Sequence, residues 1–166
     1  MPDPNKGTEA CFSLGSNLGD RSRNIEAARL LMADRMGAVN AVSGIYESPS
    51  WGYASDHSYY NCCLVIRTMI EPLHLMEMIL QVEQVLGRVR KKEGYGDRVI
   101  DIDLLLYGDV VMDHPMLILP HPRMSMRRFV LAPLAEIFPE KVHPVSGLTI
   151  SELLDRCQDP SEVSPV

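Results

Sequence analysis

Residues 59–107, YYNCCLVIRTMIEPLHLMEMILQVEQVLGRVRKKEGYGDRVIDIDLLLY, decide the fold. The first ten, 59–68, read as a strand. Pro72 then opens a helix at a position where its missing N–H is harmless. Leu75, Ile79, Val82 and Leu86 recur at helical spacing, and Gly87 ends the helix. A basic loop follows, and 99–107, VIDIDLLLY, reads as a second strand. Upstream the pattern repeats. EACFSL (9–14) reads as a strand ending at Gly15, and a helix follows with Asp20 or Ser22 as its cap. Ile25, Ala28, Met32 and Met36 form that helix's apolar face, and Gly37 is its stop. Residues 40–47 read as one strand, and 48–58, SPSWGYASDHS, as a loop of turn residues. A last short helix starts at Thr149, where Glu152 completes a capping box. The order strand–helix–strand–strand–helix–strand predicts an α+β ferredoxin-like sandwich. In that fold the two helices cover one face of an antiparallel sheet, and the other face is left for ligand loops.

The chain of 166 residues is expected to be a single domain over 1–166, with 158–166, QDPSEVSPV, as a loose tail. It is 46% hydrophobic and 23% charged, which suits a globular protein. A net charge of −6 argues against a nucleic-acid or anionic-membrane binder. MPDPNKGTEA shows no signal-peptide pattern, and the apolar run near Cys62 ends at Arg67, too short for a bilayer. Cys11, Cys62, Cys63 and Cys157 have no C-x-x-C spacing, so zinc is not expected. They are expected to be reduced, partly buried thiols of a cytoplasmic protein. Cys62 and Cys63, adjacent in a strand, should point to opposite faces.

Asp101-Ile102-Asp103 is the sharpest local signal. Alternate strand residues share a face, so the two carboxylates point the same way with Cα atoms roughly 6.5–7 Å apart. Paired hard oxygens suit Mg²⁺, which takes one or two carboxylates plus substrate phosphates. Two acids on a solvated strand face would look the same. Windows 88–98 and 123–128 hold eight of the sixteen Lys and Arg residues. Arginine forks match phosphate oxygens, and metal carboxylates flanked by arginines are what phosphoryl transfer requires. A solvated basic loop is the plainer alternative. Trp51, Tyr53, Tyr59, Tyr60 and Phe129 lie at loops and strand ends, where rings can stack on a flat heteroaromatic ligand and Asn61 can read its edge. Tyr46 and Phe12 fit core packing better. His121 stands in the turn P-H-P-R, as a ligand or as a turn residue. There is no Walker-type loop, and the glycines of GSNLGD (15–20) read as a tight turn into the helix.

Together these blocks resemble the 6-hydroxymethyl-7,8-dihydropterin pyrophosphokinase family. The likeness is carried by FSLGSNLGD (12–20), ESPSWG (47–52), YYN (59–61), GRVRKKEGYGDRVIDIDLLLYGD (87–109) and PHPRMSMRRFVLAPLAEI (120–137), in register from about residue 12 to 150. The resemblance implies transfer of a diphosphate from ATP to the pterin alcohol in folate biosynthesis, with AMP leaving, in a monomeric cytoplasmic enzyme. It implies that Asp101 and Asp103 hold two Mg²⁺ ions, and that Arg88, Arg98, His121 and Glu83 serve ATP. Arg90 and Arg127 would act in catalysis and release. Ser48, Tyr59, Asn61, Tyr95 and Phe129 would hold the pterin.

Three positions depart from the family pattern. Tyr95 stands where Trp is common, Asp97 where Pro is common, and Met116 where some members carry an arginine near adenine. The 88–98 segment is expected to close over the substrates, and losing the proline is expected to raise the ordering cost of closure. Two other classes stay open on the residues alone: a non-catalytic ferredoxin-like binding module, and a D-x-D glycosyl- or nucleotidyl-transferase.

Overall fold

The computed structural model describes residues 6–89 and 96–166. Strand β1 (Thr8–Ser16) runs antiparallel to both β4 (Tyr59–Thr68) and β5 (Asp101–Tyr107). Helix α1 (Arg21–Met36) is capped by Asp20, whose side chain accepts from the Arg23 amide. It stops at Gly37, where φ is +146° and a Cβ would fall 2.1 Å from the Arg67 carbonyl oxygen, so only glycine fits. Helix α2 (Pro72–Val85) starts at the expected proline and ends one residue before Leu86.

The expected single strand 40–47 is two strands, β2 (Ala38–Val42) and β3 (Tyr46–Ser48), both paired with β4. The break has a local cause. The Ser43 side-chain oxygen accepts from the Cys63 amide at 2.9 Å, and the Gly44 amide turns out to Glu136 at 2.9 Å. A serine hydroxyl thus replaces a ladder carbonyl, and the strand bends there.

Alternation along the central strands builds two cores. Phe12, Leu14, Leu64, Ile66, Ile102 and Leu104 pack under α1 and α2, against Ile25, Ala28, Met32, Leu75, Ile79 and Val82. Cys11, Cys63, Val65, Leu105 and Leu106 face the other way. Cys62 and Cys63 therefore separate as expected, and all four cysteines are free.

The second sheet face carries two more helices, α3 (Arg128–Ile137) and α4 (Ile150–Arg156), beside the ligand loops. Thr149 and Glu152 form the expected capping box of α4. The element reading had no α3, because Pro133 sits inside it and interrupts the pattern. Its apolar face (Val130, Leu131, Leu134) forms all the same. A short hairpin, β6 (Met112–His114) and β7 (Leu117–Leu119), precedes α3.

The tail 158–166 is not loose. Asp159 is 8% exposed and accepts from the Arg128 amide at 3.0 Å, while the Arg128 guanidinium donates to the carbonyls of Asp159 and Cys157. Strand β8 (Ser164–Pro165) then pairs with β3. Composition alone reads these polar residues as free, since their partners lie far away in sequence. Among the described residues, no helix is long and apolar enough to cross a membrane.

Candidate active site

β5 aims the two aspartates. Gly15 pairs with Asp101 and Ser13 with Asp103, so both carboxylates lie on the sheet face that carries α3 and α4. The register shifts where Cys11 meets Leu106 and Phe12 meets Leu104, leaving Leu105 as an extra residue. A bulge re-aims a strand locally. Here it turns the Leu105 carbonyl to the His121 amide at 2.9 Å, which delivers the P-H-P-R turn to the aspartates.

The site is two clefts with a shared wall. The first is lined by Trp51, Tyr53, Tyr59 and Phe129, with Ser48 and Asn61 at its polar edge. The second is lined by Arg88, Arg98, Arg123, Arg127 and His121. Asp101, Asp103, Arg98 and Arg127 line both.

The two carboxylates differ in their partners. Asp101 receives Arg88 at 2.9 Å on one oxygen and Arg98 at 3.2 Å on the other. Among the described residues Asp103 has only longer ion-pair contacts, Arg127 at 3.7 Å and His121 at 4.0 Å. Burial, with Asp101 and Glu83 adding negative charge nearby, pushes the Asp103 pKa up to about 7, and Arg127 and Arg88 offset part of this. Burial first, then Arg127 and Arg123, lowers the His121 pKa to about 4, so its ring is neutral at neutral pH. His121 Nδ1 accepts from the Arg123 amide at 3.1 Å, which leaves the proton on Nε2, facing Asp103. It is thus both a turn residue and a site residue.

Arg127 caps α3 at 7% exposure, with its guanidinium 4.7 Å from the Trp51 ring centre and 5.7 Å from that of Phe129. Its buried Nε has no hydrogen-bond partner among the described residues. A buried donor left unmade is costly and marks a place where an acceptor from a ligand fits. Glu83 is 2% exposed and accepts from the Arg88 guanidinium and, at 2.9 Å, from the Ile102 amide. It holds Arg88 from behind.

Tyr59, Asn61, Ser48 and Phe129 come together as expected. Asn61 donates to Ser48 Oγ at 2.8 Å and to the Tyr46 carbonyl at 3.2 Å. Burial first, and the Tyr53 hydroxyl next, raise the Tyr59 pKa. Tyr60 leaves the aromatic group, because alternation turns it to the opposite face, under the Arg21 guanidinium at 3.7 Å. Arg128 leaves the basic group for the tail. Arg90 and Tyr95 lie outside the described residues.

The sequence reading missed Gly15, Asn17 and Asp97. Gly15 floors the aromatic cleft, where a Cβ would meet the Tyr59 ring at 3.4 Å and Asn61 Oδ1 at 3.6 Å. Of the two GSNLGD glycines, only Gly19, at φ +70°, makes the turn. Asp97, expected to leave its segment freer than proline would, is held instead. Its Oδ1 accepts from Ser55 at 2.7 Å, Asn17 at 2.9 Å and Tyr53 at 3.1 Å, and these donors, Ser55 first, lower its pKa below the usual carboxylate range. The only hint in the sequence was the aspartate itself where proline is common.

A profile of the 7,8-dihydro-6-hydroxymethylpterin-pyrophosphokinase family matches residues 11–139. The Synechocystis protein named 2-amino-4-hydroxy-6-hydroxymethyldihydropteridine pyrophosphokinase is 39% identical over 158 residues, covering 95% of this chain and 80% of its own. The protein of that name from Methylorubrum extorquens is 39% identical over 160 residues, covering 96% and 99%. The Bacillus subtilis one is 42% identical over 129 residues, covering 77% of each chain. Among solved structures, an HPPK-DHPS in complex with substrates superposes with a TM-score of 0.75 at 14% identity, over 91% of this chain and 43% of that one. Plasmodium falciparum HPPK-DHPS gives 0.72 at 17% identity, over 91% and 45%. This chain therefore spans under half the length of those two solved chains, and at such identities the likeness carries the fold alone. The profile match and the relatives, each aligned over most of this chain, establish that it belongs to the 7,8-dihydro-6-hydroxymethylpterin-pyrophosphokinase family.

Proposed function

We propose that this chain transfers a diphosphate from ATP to the hydroxymethyl group of 6-hydroxymethyl-7,8-dihydropterin, giving AMP and the pterin diphosphate for folate synthesis. The observation that carries the reading is the shared wall. An aromatic cleft suited to a flat heterocycle and a basic cleft suited to a polyphosphate meet at two aspartates. One chain lines both clefts, which fits a monomer acting on two small substrates.

The donor set fits magnesium. Asp101 and Asp103 present hard oxygens, and among the described residues no group of three acidic, His or Cys side chains could hold a metal without help. Ions bound there would take their remaining ligands from phosphate and water, as Mg²⁺ does. Once bound, two ions would neutralise charge on the bridging and leaving oxygens. The protein's own part is positioning. Tyr59 and Phe129 sandwich the pterin, and Asn61 with the Ser48 backbone reads its edge. Arg88 and Arg98, which pair with Asp101, would be free to offer their donors to phosphate oxygens if a metal were held by that carboxylate. The Arg127 Nε and the His121 Nε2–H supply further donors. Attack of the alcohol on the β-phosphorus, in line with departing AMP, then needs alignment and charge neutralisation above all.

The decisive assay follows AMP release from ATP with and without the pterin. AMP formed only when the pterin is present is the expected result. A D-x-D transferase would show no pterin requirement, and a binding module would release no AMP. Within that assay Phe129→Ala is expected to weaken pterin binding about tenfold, since an aromatic contact contributes ~0.5–1.5 kcal/mol beyond burial. Affinity for a non-hydrolysable ATP analogue should stay within twofold in calorimetry. Equal loss for both ligands would contradict the placement of Phe129 in the pterin cleft.

A further inference from the structure

Asp97 has a geometry that the proposed chemistry does not use. An ionised carboxylate only accepts, so the Tyr53 proton must point at Asp97 Oδ1, 3.1 Å away. The Tyr53 oxygen is then left to accept, and it lies 2.7 Å from the Tyr59 hydroxyl, whose ring walls the aromatic cleft. Tyr59 thus donates to Tyr53, and Tyr53 to Asp97. A second arm leaves the same oxygen. Asn17, 2% exposed, donates its Nδ2 to Asp97 at 2.9 Å. Its Oδ1 accepts from the Arg98 amide at 2.7 Å, and its own amide donates to the Arg98 carbonyl at 3.1 Å. The Arg98 guanidinium ends 3.2 Å from Asp101.

We propose that Asp97 is a positioning residue that latches the Tyr59 wall of the aromatic cleft to the backbone of Arg98, so that the heterocycle and phosphate sides of the site are set in register by one carboxylate oxygen. The proposal rests on the pterin reading of that cleft. A proline at this position would supply a fixed φ but no acceptor. Here three side-chain donors do the ordering instead, and a side-chain latch reaches the pterin wall directly. Asp97→Pro therefore weakens pterin binding.

The test is calorimetric titration with 6-hydroxymethyl-7,8-dihydropterin at saturating Mg²⁺ and non-hydrolysable ATP analogue. Asp97→Ala is expected to weaken pterin binding about tenfold, the scale of one hydrogen bond to a charged group. Asp97→Asn keeps the Oδ1 acceptor and should stay within about threefold of the parent. Tyr53→Phe should cost several-fold in the parent and under twofold on the Asp97→Ala background, because the hydroxyl there no longer links Tyr59 to Asp97. An Asp97→Ala chain that binds like the parent overturns the latch, as does a Tyr53→Phe penalty unchanged on that background. Asp97→Asn as weak as Asp97→Ala overturns it too, since loss of structure rather than of the acceptor would then explain both. If the parent binds no pterin, the reading of the cleft falls and the latch with it.

Discussion

Asp101→Ala and Asp103→Ala are each expected to lower turnover by about 10³-fold or more in the pterin-dependent AMP assay. Metal stabilisation of transition-state charge is a matter of several kcal/mol, and each ~1.4 kcal/mol is tenfold in rate. The two variants separate in stability. Asp101 holds two arginines at 2.9 and 3.2 Å, and its removal leaves both without that partner. It should cost about 1 kcal/mol in metal-free urea unfolding, as partly exposed pairs do. Among the described residues Asp103 has ion-pair contacts only at 3.7 and 4.0 Å, and it lies beside other carboxylates. Its removal should leave metal-free stability unchanged or slightly raised. Near-normal turnover of either variant at saturating Mg²⁺ would contradict the metal assignment, and a large loss of stability in Asp103→Ala would show that its role is structural.

Glu83→Ala is expected to have the largest effect on folding, about 3 kcal/mol, because it removes the buried partner of Arg88 and leaves that guanidinium to the more exposed Asp101. The pair is enclosed, with side-chain exposures of 3% for Glu83 and 11% for Arg88. Glu83 also accepts the Ile102 amide at 2.9 Å, which lies between the two aspartates. Losing it unpairs a backbone donor in the strand that aims the site. A chain of this size should lose roughly 10 °C in melting temperature. Glu83→Gln keeps an acceptor for the amide and should recover part of that loss. Scanning calorimetry on both variants checks the pair, and a loss under about 1 kcal/mol in Glu83→Ala would contradict the buried-pair account.

Local chemistry carried much of this protein into view before any coordinates. Asp20, Gly37, Pro72 and the Thr149–Glu152 box mark helix ends because capping involves residues three or four apart. The Asp101–Asp103 face was legible because strand side chains alternate, and that alternation holds up to Leu104. Ser48, Tyr59, Asn61 and Phe129 could be listed from the family likeness, and they do line one cleft.

What the linear chain could not decide was set by contacts across long separations. The break at Ser43 depends on the Cys63 amide and on Glu136. The tail is pinned by Arg128, and α3 forms through Pro133 because its apolar face has a second core to fill. The bulge at Leu105 brings His121 to Asp103, although nothing in LLLY announces an extra residue. Asp97 reads as a solvated loop acid until Asn17, Tyr53 and Ser55 are seen to converge on one oxygen. Sequence by itself determined the main strands and helices of the ferredoxin-like order, the family and the roster of chemical groups, because propensity, capping and alternation are properties of neighbours. Only the tertiary structure decided which of those groups share an oxygen, a cleft or a core, because hydrogen bonds and burial depend on distance in space.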